Sequence, residues 1–148
     1  MISLNDIKNS LTVKLGSKLE NINIFTEDIA QTKDINGLSV YPLLHIQLIP
    51  QNEVLEQGAN AKYKTILVDI TFMQESKSTN AAIYDCLDRL SDVIGTVIKV
   101  KDRFFTIQNI NKMIADDLGH LLFNINFSDG IEVEEEVYEK MKELKLKL

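Results

Sequence analysis

Four groups of residues in this chain have the chemistry to act on a substrate or hold an ion. The two histidines, His45 and His120, could serve as general acids or bases or as metal ligands, because imidazole titrates near neutrality. Neither sits at the short spacing that brings two ligands onto one helix face or one turn. His45 lies in an alternating strand pattern and His120 beside a turn, so both are expected to be structural. Thr26-Glu27-Asp28 sets two carboxylates side by side on a loop. Such a pair can work as acid and base or hold magnesium, but adjacent exposed acids are ordinarily just solvated. The run Glu132, Glu134, Glu135 and Glu136 fits the start of a helix better than a cation site. Cys86 falls in the stripe Ile83, Cys86, Leu87, Leu90, where a lone thiol behaves as a small buried hydrophobe. The chain has no Gly-rich phosphate loop, no G-x-S-x-G elbow and no calcium-loop spacing. These residues give no basis for a catalytic, metal-binding or cofactor-binding assignment, and the expectation is a protein that is not an enzyme.

The bulk properties point the same way. At 148 residues, 45% hydrophobic and 26% charged, the chain has the size and balance of one globular domain. Net charge is −6, from 16 basic against 22 acidic residues. Gripping nucleic acid requires clustered Lys and Arg to displace counterions from phosphates. The chain has only two arginines, Arg89 and Arg103, so sequence-specific readout is poorly supplied. The start, Met1-Ile2-Ser3-Leu4-Asn5-Asp6, lacks the basic and apolar regions of a signal peptide. No apolar run approaches the roughly 20 residues of a membrane helix. A soluble protein that folds in a cytoplasm is expected.

The elements that would carry these residues can be read from periodicity. Leu4, Ile7, Leu11, Leu15 and Leu19 recur at helical spacing, with Ser3 or Asn5 as a cap and Asp6 in the first turn. Ile22, Ile24 and Phe25 form a short strand, followed by a polar loop from Thr26 to Gly37. Leu38 to Pro50 alternates as a strand that Pro50 is expected to end. Gln51 to Ala61 reads as a loop or a long hairpin tip. Tyr63 to Met73 is the clearest strand, with Ile66, Val68, Ile70 and Phe72 on one face. Ser76 to Ile94 reads as a helix capped by Ser78 or Thr79 and closed by Gly95. Three extended pieces follow, Val97–Val100, Phe104–Ile114 and Leu121–Ser128, as a meander with one wet face carrying Asn124 and Asn126. A last helix carries the stripe Val133, Val137, Met141, Leu144 and Leu148. Acids crowd its start and lysines crowd its end, which suits the helix dipole. The fold class is therefore α+β, a two-layer sandwich of a mainly antiparallel sheet with helices on one face. The order is αβββα-βββ in residues 1–130, with a C-terminal helical extension of the same domain in 131–148.

Ile24-Phe25-Thr26-Glu27-Asp28-Ile29 after a leading helix, the Tyr41–Pro50 strand, and Tyr63-Lys64 opening a long alternating strand form a pattern. With the helix and the closing meander it resembles the tail-terminator-like proteins of phage and prophage tail operons in Gram-positive bacteria. The resemblance covers about residues 2–128; the helix after Gly130 goes beyond it. It implies a structural protein of a virion or phage-tail-like particle. Such a protein forms a homo-oligomeric ring, usually a hexamer, on the head-proximal end of a tail tube. One ring face copies the next tube layer, the other stops growth and receives the neck or head connector. In a headless contractile particle it would act as a collar. The implied partners are tube and possibly sheath subunits, with DNA only passing through the lumen, where an acidic lining would not trap a polyanion.

Candidate interface residues on this reading are Glu27, Asp28, Tyr41, Tyr63, Val133, Val137, Met141 and Leu144. The C-terminal stripe would either dock on the protein's own sheet or bind a neighbouring subunit or the sheath. A neck or head–tail joining protein is the alternative within assembly. A small metal-dependent hydrolase using Glu27, Asp28 and a histidine is the alternative outside it.

Overall fold

Helix α1 (Leu4–Lys18) begins where Ser3 and Asp6 close a capping box, each side chain bonding the other's backbone N–H at 2.8 and 3.1 Å. Its Ile7, Leu11 and Leu15 are fully buried and Leu19 nearly so, as the spacing predicts, whereas Leu4 is left 42% exposed. Each such burial contributes roughly 2 kcal/mol. The computed structural model describes residues 1–27, 37, 39–56, 60–74 and 79–130. Asp28, most of the Thr26–Gly37 loop and the C-terminal stripe (Val133, Val137, Met141, Leu144) lie outside the described residues.

Six strands form one sheet in the order β1-β2-β3-β6-β5-β4. They are β1 (Asn23–Phe25), β2 (Leu43–Leu55), β3 (Ala61–Met73), β4 (Val97–Val100), β5 (Arg103–Ala115) and β6 (Leu118–Gly130). All neighbours are antiparallel except β1 and β2. Helix α2 (Asn80–Ile94) starts at Thr79, whose hydroxyl accepts the Ala82 N–H at 3.2 Å, and ends at Gly95 with φ 67°. Only glycine holds that left-handed conformation without strain. Both helices cover one sheet face, and the core joins Ile7, Leu11 and Leu15 to Val68, Ile70, Phe123, Ile125, Ile83 and Leu90. The architecture is the expected α+β sandwich.

Several boundaries differ from expectation; β2 begins at Leu43 and not Leu38, and β6 at Leu118 and not Leu121. Pro50 does not end β2, and much of Gln51–Ala61 is strand, since the β2–β3 ladder runs on to Leu55↔Lys62. The reason is local. β1 covers β2 only at Leu43, Leu44 and His45, so Pro50 lies where one side of β2 needs no donor. A bulge between Pro50 and Asn52 absorbs the ring. The β5–β6 hairpin turns on Asp116 and Asp117, both at positive φ (53° and 61°), the conformation a tight two-residue hairpin requires.

Candidate assembly surfaces

Beyond Leu48 the β2 strand of the β2–β3 hairpin leaves the core and becomes an exposed arm, while β3 stays paired with β6 as far as Ala61↔Gly130 and keeps Ile66 in the core. Val54, Leu55 and Tyr63 stand 49%, 65% and 42% exposed here. The arm is held in register by a Glu53–Lys62 ion pair (3.5 Å), by Glu56 N–H donating to Ala61 O (3.0 Å), and by Ser128 donating to the Glu56 carboxylate. Tyr63, a residue the sequence singles out, is therefore part of an exposed surface.

The far edge of the sheet is β4, which has β5 on one side and no strand on the other among the described residues. Residues alternate in the direction their backbone groups point. Thr96 O accepts from Ile107 N, toward β5, while Val97 O accepts from Lys14 Nζ at 2.7 Å, away from it. The same Lys14 ammonium also reaches Ile94 O at the C-terminal end of α2, where the helix dipole favours a cation. Burial and the nearby Lys18 push its pKa down from the ordinary lysine value. By the same parity Lys99 points its N–H and C=O out to the open edge. Along this edge runs an apolar groove of about 640 Å³ between α1 and β5. Val13, Val97 and Phe104 line it, 71%, 41% and 70% exposed. Lys99 lies over the Phe104 ring at 5.7 Å.

Both termini of the described chain meet at the end of the sheet that carries the arm and the β4–β5 turn. Asp129, 5% exposed, accepts the Ile2 N–H at 2.9 Å and pairs with Lys64 (3.3 Å) and Arg103 (3.6 Å). Burial alone would raise its pKa. The Ile2 donor and the Lys64 ammonium outweigh burial and hold the carboxyl below the ordinary value. Behind it Phe105 and Phe127 stack at 4.7 Å, with the Arg103 guanidinium 5.0 Å from the Phe105 ring. Sequence reasoning missed Asp129, because Ser128-Asp129-Gly130 reads as a turn. The missed signal was strand alternation continued for two more residues.

Of the other candidates, Glu27 is exposed at the rim of a depression with Leu4, Asn5 and Lys8. Tyr41 is half-buried, and its N–H donates to the Ser39 hydroxyl at 3.2 Å. Neither stands beside Tyr63: Tyr41 leads into the start of β2, whereas Tyr63 lies near the arm. The two histidines, far apart in sequence, fall in one cross-strand row, because His45 and His120 both pair with Thr71. His120 Nδ1 lies 3.1 Å from Asp69 Oδ1 and 3.2 Å from Thr71 Oγ1. Acid and hydroxyl thus share one ring nitrogen, whereas relay of a proton from a hydroxyl needs them on opposite nitrogens. Among the described residues no three His, Cys, Asp or Glu side chains gather closely enough to hold a metal ion. Cys86 is half-buried against the core, and burial pushes its thiol up to about 11. The arrangement offers exposed apolar side chains and open backbone edges, which is the chemistry of association.

No helix among the described residues is long and apolar enough to cross a membrane. No curated protein matches the chain. The family model described as "Phage tail terminator protein" matches residues 6–137, extending past the meander into the C-terminal segment. With most of its length matched, the chain belongs to the phage tail terminator protein family, a family of structural tail components.

Proposed function

We propose that this protein forms a closed ring, of six copies, on the head-proximal end of a tail tube. There it ends tube polymerisation and presents its outer face to the neck or collar. The observation that supports this most is the pair of unlike open edges on one sheet. One is β4 with its apolar groove, and the other is β2 beyond His45, which no strand pairs among the described residues and whose outer half is exposed. Unlike surfaces join head to tail, and a head-to-tail contact whose rotation closes gives a ring instead of a filament. The excess of acidic residues suits a lumen through which DNA slides without being held.

The test is solution mass combined with negative-stain images, alone and with tube subunits. Six-fold rings, seated on one end of each tube and limiting its length, are expected. A protein that stays monomeric at high concentration in both settings would overturn the proposal.

A further inference from the structure

The groove along β4 leaves three apolar side chains, Val13, Val97 and Phe104, open to water at one place. Exposed aromatic and aliphatic side chains gathered this way mark a surface that another element covers. Among the described residues no carboxylate lies within ion-pair distance of Lys99 at its rim, whereas Lys101 and Arg103 on the adjoining turn already pair with Asp6 and Asp129. The occupant should therefore be apolar on one face and acidic beside it.

The chain carries such a segment beyond its last described strand. Val133, Val137, Met141 and Leu144 fall on one face at helical spacing, and Glu132, Glu134, Glu135 and Glu136 lie beside the first of them. As a helix, residues 131–148 would span about 27 Å, longer than the four residues of β4. We infer that this stripe seats in the β4 groove of a neighbouring copy, with its glutamates against Lys99. This rests on the ring reading above, and it names the contact that joins one subunit to the next.

The direction of the backbone favours the neighbour over the same chain. β6 runs toward the end of the sheet where β4 turns into β5, and Asp129 contacts Arg103 there. The groove recedes from that end in the opposite direction, alongside α1 and β4. Only Ile131 and Glu132 separate Gly130 from the first residue of the stripe. To enter its own groove the segment would have to cross β5 and β4 and reverse within those two residues. A chain that continued in the direction of β6 would leave the subunit.

The test uses the full chain and two full-length variants. One carries Val137→Glu and Met141→Glu in the stripe, the other Val13→Glu and Phe104→Glu in the groove. At a concentration low enough to keep every chain monomeric, thermal unfolding followed by circular dichroism should give the wild-type midpoint for both, since the groove positions are exposed and the stripe acts in a neighbour. In sedimentation each variant alone should self-associate at least tenfold more weakly than the full chain. Mixed, they should form one-to-one pairs and nothing larger, because only one good stripe and one good groove remain. The inference is overturned if the stripe variant assembles as the full chain does, if it loses folding stability, or if the mixture gives no pairs. Those results leave the ring reading standing, whereas a full chain that never assembles removes both.

Discussion

The backbone N–H of Ile2 donates to the carboxylate of Asp129 at 2.9 Å, tying the residue before the α1 cap to the penultimate residue of β6. Lys64 and Arg103 close on the same carboxylate. One buried anion thus fastens β3, β5, β6 and the N-terminus at a single point. Gly130, the last described residue, follows directly, so this point of the chain is fixed against the body of the domain.

Asp129→Asn removes the charge that this site is built around. The variant should lose about 2 kcal/mol, the scale of hydrogen bonds to a charged group, read from urea denaturation at pH 7. The wild-type dependence on acid follows from the lowered carboxyl pKa. A group held below its ordinary value of 3.8 stabilises the fold above that value. The contribution is lost as pH falls through the folded-state pKa. Urea midpoints between pH 5 and 2.5, a range of about two and a half decades around that value, should therefore fall less steeply in Asp129→Asn than in wild type.

Gly119 and Gly130 should respond oppositely to alanine. A Cβ at Gly119 would stand 2.7 Å from Ile83 Cγ2 and 3.4 Å from Leu87 Cδ2, pressing α2 off the sheet, while one at Gly130 meets nothing within 4 Å. Gly119→Ala is expected to cost about 1–3 kcal/mol and Gly130→Ala almost nothing, as a difference in thermal midpoint.

The hairpin arm should be dispensable for folding and needed for assembly. Leu55→Ser with Tyr63→Ser replaces side chains 65% and 42% exposed, where substitutions ordinarily shift stability by about 0.5 kcal/mol or less. The expected outcome is an unchanged midpoint with at least tenfold weaker self-association by sedimentation. An unchanged association constant would remove the arm from the interface.

The Cys86 thiol, pushed up to about 11 by burial, should alkylate slowly in the folded protein at pH 8, because the thiolate is the nucleophile. Unfolding in urea should accelerate labelling by at least tenfold. Equal rates in both states would show that the thiol is not protected.

The faces of the elements were legible in the sequence, whereas the relations between elements were not. Spacing alone picks out Ile7, Leu11 and Leu15 on α1 and Leu121, Phe123 and Ile125 on β6, all fully buried, because burial imposes a fixed period on a helix or strand. Pro50 misled because a proline's cost depends on whether the neighbouring strand needs its missing donor, and β1 stops short of it. The row His45–Thr71–His120 depends on strand register, which no local pattern encodes. Lys14 looks like any solvated lysine on a helix, yet its ammonium joins α2 to β4 through two backbone carbonyls.

The position of β6 has a consequence for biosynthesis. It is the last of the six strands to leave the ribosome, yet it lies in the interior of the sheet between β3 and β5. A nascent chain that ends before residue 118 holds β2 and β3 on one side and β4 and β5 on the other, with no strand to join them. Core closure must wait until β6 itself has been made, and chains that stop short of it expose apolar strands that are prone to aggregate.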